Sequence, residues 1–209
     1  MYLMIDNYDS FVYNLARYLE ELGEHLELVR NDQITIEQLE AMLSAGNLEG
    51  IILSPGPKSP ADCGSCKEIL RKTAGRVPVL GVCLGHQIIG HVFGAEVKKG
   101  KRPMHGKITS VFTDGTGLFR HLPRTYQVTR YHSLIVSEEN FPEELQVNAR
   151  AEDGTIMALS HRELPIYGVQ FHPEAVLTEY GHELLENFTI ICRDWWKTYE
   201  NNTSKAVCI

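Results

Sequence analysis

The chain has 209 residues, with 20 Lys and Arg against 27 Asp and Glu, a formal charge of -7 at pH 7, and 43% hydrophobic residues. That length and apolar fraction supply one substantial core, and an acidic chain with no Lys/Arg block longer than two residues excludes nucleic acid as the expected partner. The apolar start Met1-Tyr2-Leu3-Met4-Ile5 meets Asp6 at once and lacks a basic flank, so neither export nor a membrane span is expected; the five cysteines, an odd number, read as reduced thiols of a cytoplasmic protein.

In chain order, Tyr2 to Ile5 predicts a short buried strand. Asp9 or Ser10 then caps a helix carrying Phe11, Leu15, Tyr18, Leu19 and Leu22 on one face, and Gly23 ends it. Leu26 to Val29 predicts a second strand, Thr35 caps a helix bearing Ile36, Leu39, Met42 and Leu43, and Gly50 to Leu53 predicts a third strand, broken by Ser54-Pro55-Gly56-Pro57. A weaker helix is expected over Asp62 to Thr73. Val77 to Val82 is an uninterrupted apolar run of the kind buried on both faces of a parallel sheet, and a helical stretch follows from His86 to Phe93.

The second half reads differently. Lys107 to Phe112, Thr125 to Tyr131, Leu145 to Ala151, Ile156 to Ser160 and Ile166 to Gln170 predict strands separated by turns, an antiparallel extension. Leu184, Leu185, Phe188, Ile191, Cys192 and Trp195 share one face of a final helix. The fold class implied is α/β: an open, mostly parallel twisted sheet with helices on both faces and an antiparallel extension. One domain spans residues 1–196, followed by a polar tail, 197–209, expected to be mobile.

The sharpest chemical signal is Gly81-Val82-Cys83-Leu84-Gly85 between an apolar strand and a helix, a nucleophile elbow. Glycines at the flanking positions relieve crowding around a strained nucleophile. The helix start favours a thiolate, and the Leu84 N–H can serve an oxyanion. A cysteine nucleophile requires a base and a group to orient it. His172-Pro173-Glu174 follows the apolar run Ile166 to Phe171, placing an imidazole at a strand end with a carboxylate able to turn back to it. Each motif alone has a plainer reading, a buried structural cysteine and a His-Pro turn; together they favour chemistry. Ser54-Pro55-Gly56-Pro57 ends another strand, where the Gly56 N–H can act as a second oxyanion donor, and Asp6-Asn7-Tyr8-Asp9-Ser10 crowds the same rim.

Those segments, with Met104-His105-Gly106-Lys107 and Arg130-Tyr131-His132-Ser133-Leu134, resemble in order the triad, or class I, glutamine amidotransferases, which have a flavodoxin-like fold. More narrowly the chain is similar to the glutaminase subunits that serve anthranilate synthase or 4-amino-4-deoxychorismate synthase. The resemblance implies Cys83 as nucleophile, His172 as proton shuttle and Glu174 as its orienter. It implies Gly56, Pro57 and Leu84 around the oxyanion, and Gln87, Ser133 and Leu134 holding glutamine. No cofactor is implied on this chain; magnesium and chorismate belong to the partner synthase subunit. Two residues depart from the pattern: Lys58 stands where glycine is common, and Ala175 where serine is usual.

Two other readings compete. Cys63-Gly64-Ser65-Cys66 has the spacing of a redox pair or of half a zinc site, and the fold can also persist as a catalytically silent regulatory subunit.

Overall fold

The computed structural model describes the backbone of residues 1–206 and the side chains of residues 1–199. The first half alternates strand and helix: β1 (Tyr2–Asp6), α1 (Val12–Glu21), β2 (Leu26–Arg30), α2 (Ile36–Ser44), β3 (Gly50–Leu53), α3 (Cys66–Thr73), β4 (Val79–Val82) and α4 (Leu84–Val92). The second half contains β5 (Val97–Lys99), β6 (Lys107–Thr113), β7 (Thr125–Arg130), β8 (Leu134–Val136), β9 (Leu145–Ala151), β10 (Ile156–His161) and β11 (Ile166–Val169) before the closing helix α5 (Gly181–Ala206).

Nine strands form one sheet in the order β2-β1-β3-β4-β11-β10-β9-β6-β7. From β2 to β11 the pairs are parallel, and from β11 to β7 they are antiparallel. The chain leaves β1 for β2 on one side and returns to β3 on the other, which creates a switch point at the carboxyl ends of the strands. β5 and β8 form a separate antiparallel ribbon. Strand β11 departs from the expected antiparallel extension: it lies parallel to β4, with Val169 opposite Val82. That register brings the residues after both strands to the same rim.

Local chemistry explains most boundaries. Thr35 caps α2 in a reciprocal box, accepting from the Gln38 N–H at 3.2 Å while the Gln38 side chain accepts from the Thr35 N–H at 2.8 Å. Gly23, at φ +84°, ends α1 as expected. The N-terminal cap of α1 differs from the sequence expectation: Phe11 occupies the cap position without a side-chain bond. Asp9 acts two residues earlier, accepting from the Phe11 N–H at 2.8 Å, and Phe11 stays half exposed. The helix expected over Asp62 to Thr73 is divided into a 3-10 turn at Pro60–Asp62 and α3, because Gly64 takes φ +56° between them. Helix α5 runs through Lys197 to Ala206 rather than stopping near Trp195; residues 207–209 of the expected tail lie outside the described residues.

Both sheet faces are covered, which is why β1 and β4 read as continuous apolar runs. Tyr2 and Met4 of β1 join a core with Val12, Leu15 and Leu19 of α1 and Leu184, Leu185 and Phe188 of α5. Leu3 and Ile5 point the other way, into a core with Leu39, Ile69, Leu70, Ile88 and Ile89. Each fully buried side chain of this type contributes about 1.5 to 3 kcal/mol, enough to hold the strand ends rigid beneath the loops they carry. No helix among the described residues is long and apolar enough to cross a membrane.

Candidate active site

Cys83 follows β4 directly and α4 begins at the next residue. Its backbone has φ +51° and ψ −96°, outside the regions L-residues ordinarily occupy. The strain persists because the surroundings fix it. The Cys83 N–H donates to Val169 O at 2.8 Å, and Cys83 O accepts from the Gln87 N–H at 3.1 Å. Glycine is required on both flanks: a Cβ on Gly81 would overlap the Gly85 carbonyl, and one on Gly85 would overlap the Leu53 carbonyl oxygen. The Cys83 residue is 5% exposed, and its sulfur receives a hydrogen bond from Gln170 Nε2 at 3.7 Å.

His172 lies just beyond β11, the parallel neighbour of β4. Its N–H donates to Thr129 O at 3.1 Å, and its carbonyl accepts from Thr178 Oγ1 at 2.7 Å. Pro173 packs so closely on Gly181 that a Cβ there would overlap the Pro173 carbonyl oxygen. This tight turn brings Glu174 back to His172, Nδ1 to Oε1 2.6 Å, with both side chains buried. Nε2 is left buried with no hydrogen-bond partner among the described residues. Burial by itself would push the imidazole down; the Cys83 sulfur and the Glu174 carboxylate outweigh it and hold His172 well above the usual histidine range. The Tyr131 ring meets the imidazole edge-on, 5.2 Å between centroids.

The turn after β3 closes the other side. Asn7, just after β1, donates its N–H to Ser54 Oγ at 2.8 Å and its side-chain amide to Ser54 O at 2.9 Å. Its own Oδ1 accepts from Asn31 Nδ2 at 2.9 Å and from the Cys66 thiol at 3.1 Å. Gly56 rests on this anchored residue, so that a Cβ on it would lie 2.6 Å from Asn7 O and 3.0 Å from Leu84 Cδ2. A cleft of about 180 Å³ is lined by Asp9, Gly56, Pro57, Cys83, Tyr131 and His172 among others. A larger cleft, about 540 Å³, lies elsewhere, between Ser160, Tyr167 and Trp195, and lacks a nucleophile paired with a base.

The class I glutamine amidotransferase profile matches residues 3–192. The chain belongs to the class I glutamine amidotransferases. It is 52% identical over 189 residues to anthranilate synthase component 2 of Azospirillum brasilense, covering 90% of this chain and 94% of that protein. It is 49% identical over 188 residues to aminodeoxychorismate/anthranilate synthase component 2 of Bacillus subtilis, covering 90% and 95%. The crystal structure of a Thermoplasma acidophilum protein, provisionally assigned as one of the subunits of GMP synthase, superposes with a TM-score of 0.83 at 29% identity, over 96% of this chain and 98% of that one. The expected sheet architecture and glutamine amidotransferase activity therefore both hold.

Within this amidotransferase, the structure gathers Cys83, His172, Glu174, Gly56 and Pro57, while Leu84 opens the helix behind the sulfur. Gln87, Ser133 and Leu134 stand outside that cleft's lining, and the Gln87 amide nitrogen is committed internally, to Leu134 O and Gln170 Oε1, each at 3.1 Å. Asn7 was expected only as part of the Asp6 to Ser10 rim, without its buried bonds, and Gln170 was not singled out, although a fully buried Gln between Val169 and Phe171 is the kind of polar intrusion that signals a site. Lys58 is exposed, and Ala175 is half-buried. Cys63, just after the 3-10 turn, and Cys66, the first residue of α3, are buried free thiols, and no cluster of three or more His, Cys, Asp or Glu able to hold a metal ion occurs among the described residues.

Proposed function

We propose that Cys83 attacks the side-chain carboxamide of L-glutamine. The observation that carries this reading is the strained Cys83 elbow set beside the buried pair of His172 and Glu174. The sulfur forms a bond to the carboxamide carbon while the carbonyl oxygen gathers charge, received by the N–H groups of Leu84 and Gly56. His172, charged beside the sulfur, gives its proton to the leaving nitrogen, and ammonia departs from a γ-glutamyl thioester. His172, now neutral, takes a proton from water as its oxygen attacks the thioester carbon. Glutamate leaves and the thiol is restored. Glu174 keeps the proton on Nδ1 so that Nε2 faces the reaction. Gln87, Ser133 and Leu134 hold the rest of the glutamine.

The ammonia passes, in this reading, to a chorismate-binding synthase subunit in the cytoplasm, for anthranilate or 4-amino-4-deoxychorismate synthesis; chorismate and magnesium reside on that partner. Support comes from the two component 2 relatives and from the exposed Phe11, Tyr131, Val176 and Leu177, which line a cleft with His172. The test is mass spectrometry after treatment with a glutamine-mimicking electrophile, with glutamate release measured alongside. The expected result is label on Cys83, with glutamate release that rises when the synthase partner is added. Label confined to Cys63 or Cys66, or a Cys83 that stays unlabelled, overturns the reading.

A further inference from the structure

Behind the proposed glutamine-holding segment lies a chain of polar groups that the chemistry above does not use, buried at Arg130 and His132 and open to solvent at Asp153. Asp153 Oδ2 pairs with Arg130 Nη1 at 3.1 Å. Arg130, only 2% exposed, donates through Nε to His132 Nε2 at 3.1 Å. His132 Nδ1 lies 2.9 Å from Leu134 O. A guanidinium can only donate, so Nε2 must accept, and in a neutral imidazole the proton then sits on Nδ1, the atom facing the carbonyl. Burial, then the Arg130 charge, push His132 down to about 4, which keeps the ring neutral near pH 7. With both ring nitrogens engaged, His132 is also unavailable as an alternative base for Cys83.

Three consecutive carbonyls in this segment are tied. His132 O accepts from the Met104 N–H at 2.9 Å and Ser133 O from the Gly100 N–H at 2.9 Å; Leu134 O accepts from His132 Nδ1 and from Gln87 Nε2. In a planar trans peptide the N–H points opposite to the C=O. Holding the His132 and Ser133 carbonyls therefore fixes where the Ser133 and Leu134 N–H groups aim, and the Leu134 carbonyl fixes the end of the segment.

We infer that His132, its tautomer set by Arg130 and Asp153, is a positioning residue that locks the backbone of Ser133 and Leu134 as a rigid cradle for the polar end of glutamine. The inference rests on the proposed glutaminase reading. Its effect falls on substrate binding more than on the reactivity of the thiol, because His132 bonds Leu134 O directly and reaches Cys83 only through Gln87 and Gln170.

Two conservative substitutions separate this role from simple packing. In His132→Asn the amide nitrogen stands where Nδ1 stood and still reaches Leu134 O; in His132→Gln the amide reaches toward Arg130 and abandons Leu134 O. The full-length chain is labelled at Cys83 with a diazoketone analogue of glutamine over a concentration series, and in parallel with iodoacetamide, which has no amino-acid end for the cradle to hold. Expected for His132→Gln is a rise of about tenfold or more in the analogue concentration giving half-maximal labelling rate, with iodoacetamide labelling within about threefold of the parent; His132→Asn stays near the parent in both. Equal behaviour of the two variants toward the analogue, or a loss shared equally by iodoacetamide, overturns the inference. A parent protein labelled at Cys83 by iodoacetamide but never by the analogue instead overturns the glutaminase reading on which it rests.

Discussion

Gly56→Ala places a single methyl where the proposed oxyanion turn meets its support. The added Cβ would start 2.6 Å from Asn7 O and 2.7 Å from Asn7 Cβ. Relief to an ordinary contact requires a shift of about 0.4 to 0.8 Å, as expected when extra volume enters a packed site. Asn7 cannot easily supply that movement, because Ser54, Asn31 and Cys66 hold it through four hydrogen bonds. The turn at residues 55–57 must therefore move, carrying the Gly56 N–H with it. Overpacking of this kind costs about 1 to 3 kcal/mol, which for a domain of this size lowers Tm by roughly 2 to 12 °C. Complete removal of one oxyanion donor costs about a hundredfold to a thousandfold in kcat, so its partial displacement should lower kcat by about tenfold to a hundredfold. The assay is steady-state glutamate release by the chain with its synthase partner, at a temperature where calorimetry shows the variant fully folded. A lowered Tm with unchanged kcat per folded molecule would refute the oxyanion role and leave Gly56 as packing alone. Unchanged Tm and kcat would refute the clash itself.

Cys83→Ala should abolish glutamine-dependent synthesis by the complex while leaving synthesis from ammonium salts largely intact, since only ammonia generation needs the thiol; retained glutamate release would exclude the mechanism. The same variant removes the largest of the influences that raise His172, so its pKa should fall, as read by NMR of the imidazole. A raised histidine stabilises the fold fully below its unfolded pKa of about 6.5 and loses that contribution as pH rises through the folded value. Denaturation midpoints of Cys83→Ala should accordingly decline less from pH 6.5 upward than those of the parent. His172→Ala should impair glutamate release more than Glu174→Ala, because the first removes the proton shuttle and the second only its orientation; equal rates in the two variants would contradict the assignment. Lys58→Gly should change turnover only a few-fold because the side chain is exposed, and a change beyond about a hundredfold, roughly 2.7 kcal/mol, would show that the lysine sets the turn.

What the sequence made legible were features whose cause is local. The Gly-x-Cys-x-Gly turn declares itself because only glycine fits beside Leu53 and against the opposite wall of the elbow, and the Thr35 box because its two bonds span three residues. Features that depend on distant partners were not legible. Asn7 binds Ser54, Asn31 and Cys66, which lie 47, 24 and 59 residues away, and nothing in its neighbourhood announces that. Strands β5 and β8 have three residues each, too short to show an alternation, yet their pairing fixes the segment of Ser133 and Leu134. The parallel placement of β11 is likewise decided by tertiary packing. Its apolar run from Ile166 could be read, but not the direction of its neighbour. The helical continuation of α5 past Trp195 was not expected because the chain turns polar from Lys197 and shows no further periodicity to read.

The position of the exposed apolar residues connects chemistry to assembly. Phe11, Tyr131, Val176 and Leu177 are 47%, 44%, 90% and 59% exposed, and together with His172 and Glu174 they line one cleft of about 210 Å³. Single exposed hydrophobics are ordinary, whereas a group of them beside a buried ion pair is the kind of surface that partners cover. Under the proposed function this placement has a chemical purpose. Ammonia released into water near neutral pH becomes mostly ammonium and loses its nucleophilic lone pair, so hydrolysis without a docked synthase wastes glutamine. A partner seated on Phe11 and Tyr131 would press on residues that themselves flank the imidazole, since the Tyr131 ring contacts both Phe11 and His172. Docking would then tighten the geometry of base and nucleophile together. The same aromatic pair thus joins the surface that a synthase would bury to the residues that would release the ammonia it needs.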